Sequence, residues 1–194
     1  MLRIISGIRK GALIHEVDRE NTRPTTDRNK EMVFNSLGQY FTGGACLDLF
    51  AGSGSLGLEA LSRGFATCTF VDNSSLAIST IKKNLLKLRF AENPLGIVVK
   101  EDVLSYISTY DGPAFALILI DPPYLLGDYD NLMLTIAKRS LTAPGGQIVV
   151  ETARDKELAR QYGDLVLSRD KISGNSRFWF YTNTDNPLDK GGTL

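Results

Sequence analysis

LDLFAGSGSLGLEALSRG, residues 47–64, is the stretch that decides the fold. An apolar run interrupted by Asp48 reads as a strand, the last residues read as a helix, and Gly52, Gly54 and Gly57 form a G-x-G-x-x-G array between them. Glycine suits such a junction because the turn is tight and a ligand must approach the backbone with no Cβ in the way. At the end of the next apolar run, twenty residues beyond Gly52, stands Asp72, followed by Asn73. An acid at that spacing is placed to accept hydrogen bonds from ribose hydroxyls. A nucleoside cofactor is therefore expected, and the array alone suits NAD as well as S-adenosylmethionine. Asp48 favours the second, because a carboxylate just before the loop attracts an α-ammonium group and repels a pyrophosphate. Its local alternative is to bond neighbouring backbone amides.

Outward from this loop, strand-like and helix-like segments alternate. ACLDLF (45–50), TCTFV (67–71), GIVV (96–99), AFALILI (114–120) and QIVVE (147–151) read as strands. Between them fall a helix from about Gly54 to Arg63, one with Ala77, Ile81, Leu85 and Leu88 on one face, a short one after residue 102, and one around 129–139. Apolar strands separated by helices make a parallel sheet covered on both faces. A helix is expected at about 154–161, after which DLVLSRDKI and SRFWFYT, joined by Ser173, Gly174 and Asn175, form a hairpin. Ahead of the sheet, Val33, Leu37, Tyr40 and Phe41 recur at helical spacing and predict an amphipathic helix closed by Gly43 and Gly44. The opening LRIISGIRKGALIHEV alternates apolar and polar around Gly7 and Gly11, as a small ribbon does. The expected organisation is a basic β-hairpin over 1–20, a catalytic domain over 21–184 and a frayed tail over 185–194.

The 194 residues, 43% of them hydrophobic, can bury one substantial core. No apolar run approaches the roughly 20 residues of a membrane span, and a cytoplasmic, membrane-free protein is expected. Cys46 and Cys68 lie inside apolar strands and are expected to be buried free thiols. The net charge is zero, which argues against holding nucleic acid by bulk electrostatics alone. Its distribution is uneven: Arg3, Arg9 and Lys10 face no acid within residues 1–15, whereas 41–150 carry 8 basic and 10 acidic residues. His15 is expected on a strand surface and Trp179 in the packing of the hairpin.

AFALILIDPPYLLGDY (114–129) holds the expected chemistry. An apolar strand ends in Asp121, and Pro122 and Pro123 then fix φ twice and remove two donors, leaving a stiff loop of acceptors at the carboxyl edge of the sheet. An amino group on an aromatic ring is a poor nucleophile because its lone pair is delocalised. Acceptors on its two N–H bonds, here Asp121 and the Pro122 carbonyl, draw the nitrogen toward tetrahedral geometry and receive a proton. Tyr124 can stack on a base removed from its helix. Glu101, Asp102 and Val103, after the third strand, can meet an adenine ring, with helix capping by Asp102 as the competing reading. The sulfonium methyl is already activated by its charge, so no metal is expected.

These residues resemble the bacterial RsmD group of 16S ribosomal RNA guanine-N2 methyltransferases. The likeness runs through RIISGIRKG (3–11), TRPTTDRNKEMVFNSL (22–37), LDLFAGSGSLGLEALSRG (47–64) and DPPY (121–124). LDLFAGSG and DPPY alone are shared with adenine-N6 methyltransferases. The resemblance implies a Rossmann-like class I α/β fold, seven strands and mostly parallel, with an antiparallel carboxyl-terminal hairpin. It also implies S-adenosylhomocysteine as product and action on assembled small-subunit particles; a monomer is expected. Phe50, Ser53 and Thr25 join the expected cofactor wall, and Arg23 and Arg28 join Arg3, Arg9 and Lys10 as expected RNA contacts. Adenine-N6 methylation, a nicotinamide dehydrogenase and a non-catalytic RNA-binding relative are the competing readings. The second lacks an evident catalytic His, Tyr-x-x-x-Lys or Cys.

Overall fold

The computed structural model describes residues 2–17, 27–91, 95–122 and 127–185. A short ribbon of β1 (Leu2–Arg3) and β2 (Leu13–Ile14) precedes α1 (Asp27–Leu37). Strands and helices then alternate: β3 (Ala45–Leu49), α2 (Ser55–Ser62), β4 (Thr67–Asp72), α3 (Ser75–Lys87), β5 (Gly96–Lys100), α4 (Val103–Thr109), β6 (Phe115–Ile120), α5 (Tyr129–Lys138) and β7 (Thr142–Ala153). Three strands without intervening helices follow, β8 (Gln161–Tyr162), β9 (Leu165–Ser173) and β10 (Ser176–Asn183). The large sheet runs β5-β4-β3-β6-β7-β10-β9-β8. Strands β3 to β7 are mutually parallel, and β10 lies antiparallel between β7 and β9. The alternating α/β plan and the antiparallel closing hairpin are those expected, with β8 as an eighth strand.

Strand alternation sorts side chains between two cores. Cys46, Cys68, Phe70, Leu119, Phe178 and Phe180 pack with Phe34 of α1, Leu58 and Leu61 of α2 and Ile81 of α3. Leu47, Leu49, Ile118, Ile120, Val150 and Trp179 pack on the other face with Ile107 of α4 and Met133 and Ile136 of α5. Cys46 and Cys68 are opposite each other on β3 and β4, both buried and free. Trp179 is buried and donates its indole N–H to Thr152 Oγ1 at 3.0 Å, so it serves the core. His15 is exposed just past β2, and its backbone exchanges hydrogen bonds with the Asn84 side chain.

Two helix expectations fail for identifiable reasons. α1 ends at Leu37, because Gly38 takes φ +132° and turns the chain. Phe41 reaches the core from the following irregular segment, its ring 4.4 Å from that of Phe65, while Tyr40 stays exposed. Helical spacing was thus satisfied by a residue beyond the helix. In place of the helix expected at about 154–161, residues 154–160 are a turn and irregular chain leading into β8. Side chains from the sheet take the backbone groups a helix would use: the Ala159 N–H donates to the Tyr162 hydroxyl and the Ala159 carbonyl accepts from that of Tyr181.

The ribbon is fastened to α2. Glu59, fully buried, accepts the Ile5 and Ser6 amides at 2.8 and 3.0 Å and the Arg63 guanidinium at 2.7 Å. Gly7 is necessary here, since a Cβ on it would lie 1.8 Å from the Ser62 carbonyl oxygen. Lys30 of α1, also fully buried, donates to the Arg3 carbonyl at 2.5 Å. Burial pulls its pKa down, opposed by the charges of Glu59 and Asp27.

Candidate active site

The chain runs from β3 outward to β4 and β5, then returns to β6 on the other side of β3. That reversal leaves a crevice beyond the carboxyl ends of β3 and β6, the place where open α/β sheets receive ligands. The glycine loop enters it from β3 and Asp121 from β6. The last paired residues are Leu49 and Ile120, so Phe50 and Asp121 are the next residues on either side.

The loop is sharply bent. Phe50, Gly52 and Gly54 all have positive φ, +59°, +55° and +78°. Such a conformation at Phe50, which has a Cβ, stores strain of about 1–3 kcal/mol, a feature common at ligand sites. The three glycines have different tasks. A Cβ on Gly52 would meet nothing closer than the Phe50 carbonyl at 3.9 Å, so the space beside Gly52 is open. Gly54 sits against Phe70 and Ile81, with contacts of 3.2–3.4 Å for the same added atom. At Gly57 it would lie 2.4 Å from Phe70, 2.6 Å from the Cys68 sulfur and 2.9 Å from Asp48, so Gly57 permits α2 to press on the sheet.

Both expected acids are tied to this loop. Asp72 accepts the Gly52 amide on Oδ2 at 2.9 Å and the Ser74 amide on Oδ1 at 2.8 Å. Asp48 accepts the Gly57 amide at 2.9 Å and is 2% exposed. Burial pushes its carboxyl well above the ordinary carboxylate range, the Gly57 amide opposes this, and the charges of Asp121 and Asp72 raise it further. Asp48 is thus close enough to both Asp121 and Asp72 to feel their charges, a setting that a cation would relieve. Asn73 is exposed and Ser53 half-buried beside them.

Other expected residues divide. Asp102 caps α4 by accepting the Ser105 amide at 3.1 Å, which is the competing reading of that acid. The Val103 side chain is buried in the α4–α5 core. Asp121 is half-buried and Pro122 buried. Pro123, Tyr124, Thr25 and Arg23 lie outside the described residues. Of the expected RNA contacts, Arg3 pairs with Asp27 at 2.7 Å, the Arg9 guanidinium lies over the Phe90 ring at 5.6 Å, and Lys10 and Arg28 are exposed.

Sequence reading passed over Glu151. It stands directly after Val150, the partner of Ile120, so it neighbours Asp121 along the crevice. Its signal was present in QIVVE, where an apolar strand ends in an acid just as ALILID does. Among the described residues no helix is long and apolar enough to cross a membrane.

A family model described as Conserved hypothetical protein 95 matches residues 2–182. The protein named "Putative rRNA methyltransferase YlbH" of Bacillus subtilis is 41% identical over 173 residues, 89% of this chain and 94% of that protein. The protein named Ribosomal RNA small subunit methyltransferase D of Haemophilus influenzae is 32% identical over 182 residues, covering 94% of each. The solved structure of the Escherichia coli protein yhhF superposes with a TM-score of 0.80 at 29% identity, over 95% of this chain and 99% of that one.

Proposed function

We propose that this chain, which belongs to the RsmD family of methyltransferases, moves a methyl group from S-adenosylmethionine to the exocyclic N2 amine of a guanine in 16S ribosomal RNA. The observation that carries the reading is the β3–β6 register, which puts Asp121 directly after the last residue paired with β3, beside the start of the glycine loop at Phe50. The names of the relatives, which specify ribosomal RNA, support the substrate class.

The residues fit the cofactor. Gly52, at positive φ with room where a Cβ would stand, is a backbone cradle for a nucleoside. Asp72 holds that cradle through the Gly52 amide and is the candidate ribose acceptor. Asp48 is the candidate partner of an ammonium group, and a cation beside it would offset the burial that raises its pKa. The carboxyl groups of Asp48, Asp72 and Asp121 around the crevice offer acceptors for an ammonium group and hydroxyls, and they disfavour a dinucleotide pyrophosphate. When bound, the cofactor supplies a methyl group on a positively charged sulfur, an electrophile that needs no Lewis acid.

The chain's own groups prepare the nucleophile. Asp121 and the Pro122 carbonyl accept the two N–H bonds of the amine, pull its lone pair out of conjugation and fix its direction. Asp121 then takes the proton the nitrogen must lose, a role of the general-base kind with an effect of about 10²–10⁴ in rate. Tyr124 stacks on the extruded base, a contact of about 1–3 kcal/mol. The substrate proposed is the assembled small-subunit particle in the cytoplasm. Transfer of tritiated methyl from S-adenosylmethionine to small subunits from cells lacking the enzyme tests this. Incorporation into 16S RNA is expected; none into subunits or free RNA, with folded protein, rejects it.

A further inference from the structure

We infer that Glu151 reads the target base, accepting the N1–H of guanine beside the amine that Asp121 receives. This deepens the guanine-N2 reading and rests on it. β6 and β7 are parallel and paired through Ile120 and Val150, so Asp121 and Glu151 are the next residue of each strand, about 4.8 Å apart in the direction of pairing. Ile120 and Val150 both point into the α4–α5 core, so by alternation the following residues point to the face of α1 and α2. Phe178, which opposes Glu151 on β10, is buried in that second core.

Glu151 is half-buried and held in place. Its Oε1 accepts the Ser176 hydroxyl at 2.6 Å, and Ser176 itself is buried. Nearby, the Ser173 hydroxyl of the same hairpin donates to Asn29 Oδ1 at 2.8 Å, so the first turn of α1 is tied to the hairpin on this side. A carboxylate therefore stands one strand from the general base, on the side away from the glycine loop and the cofactor acids. That is the side on which a base must lie if its amine points toward a methyl group above β3.

The chemistry of the base edge selects the role. Guanine presents two adjacent donors, N2–H and N1–H, and two neighbouring carboxylates match them. Adenine presents an amine beside an unprotonated N1, whose lone pair a carboxylate repels. The pair Asp121 and Glu151 thus distinguishes the two bases by charge and by donor pattern, with no contact to the rest of the purine.

The test uses 2-aminopurine, which keeps the C2 amine but has an unprotonated N1. Small subunits are reconstituted with guanine or 2-aminopurine at the mapped target, and kcat/KM is measured for the wild-type chain and Glu151→Gln. The glutamine amide can accept from guanine N1–H without charge assistance, or turn and donate to the N1 of 2-aminopurine. The preference for guanine over 2-aminopurine is expected to fall by roughly 100-fold, as guanine loses and 2-aminopurine gains about tenfold each. 2-Aminopurine fluorescence, which rises on unstacking, is expected to show tighter entry of that base into the variant in the absence of turnover. Calorimetry with S-adenosylhomocysteine checks that the variant is folded. An unchanged base preference in a folded variant overturns the inference, even if overall activity falls. Failure of the wild-type chain to methylate guanine rejects the underlying reading, and that result appears before any variant is compared.

Discussion

Replacing Gly57 by alanine sets two rules of structure against each other. Gly57 lies inside α2, and helix propensity alone makes alanine there more stable by about 1 kcal/mol. The added methyl, however, would stand 2.4 Å from Phe70 Cε1, 2.6 Å from the Cys68 sulfur and 2.9 Å from Asp48 Oδ2. Normal carbon contacts are about 3.5–4.0 Å, so the closest neighbour must yield by about 1 Å. Phe70 and Cys68 are fully buried in β4 and cannot swing away. Overpacking of this kind costs about 1–3 kcal/mol, and three simultaneous contacts place it at the upper end. After the propensity gain, a net loss of about 2 kcal/mol remains. For a chain of this length that lowers Tm by roughly 4–8 °C. Calorimetric melting of the two proteins reads the difference. A variant as stable as the wild type, or more stable, would refute the claim that Gly57 exists to let α2 close on the sheet.

Gly52→Ala is expected to cost only about 1–2 kcal/mol of stability, from its positive φ, while weakening S-adenosylhomocysteine binding at least tenfold by calorimetry. An effect on stability alone would remove Gly52 from the cofactor site. Asp48 has a folded-state pKa raised above its unfolded value. Its contribution to stability is therefore full below the unfolded pKa and lost as pH rises through the folded one. Denaturation of Asp48→Asn between pH 3 and 8 should show the variant gaining on the wild type as pH rises, and a pH-independent difference would contradict the shift. Glu59→Ala strands two amides and the Arg63 guanidinium, a loss of about 3–5 kcal/mol. Hydrogen exchange at Ile5 and Ser6 should accelerate; unchanged protection would mean the ribbon is held by other contacts.

Where the sequence was read correctly, pattern and packing demanded the same thing. ALILID and LDLFAG are short apolar runs with an abrupt acid, and only a buried parallel strand ending at a ligand edge satisfies both features. The 20-residue step to Asp72 likewise placed an acid at the end of β4, where it holds the Gly52 amide. The failures arose where local pattern cannot see distant partners. Nothing within residues 154–161 announces that the hydroxyls of Tyr162 and Tyr181 claim the Ala159 backbone. Phe41 kept helical phase with Val33 although Gly38 had ended the helix. Among the glycines, spacing gave Gly52 and Gly57 one role, and only the neighbouring Phe70, Cys68 and Asp48 separate them. Glu151 was overlooked because its meaning depends on β7 lying beside β6, a register that no stretch of sequence states by itself.

In the proposed reaction Asp121 and the glycine loop face one crevice, and a guanine amine is methylated there. Mass spectrometry of nuclease-digested 16S RNA, after incubation of unmodified small subunits with S-adenosylmethionine, tests it most directly. The wild-type chain should produce N2-methylguanosine at one position, and Asp121→Ala, still binding S-adenosylhomocysteine, should produce none. Methylation on another base, or undiminished N2-methylguanosine from Asp121→Ala, would contradict the account.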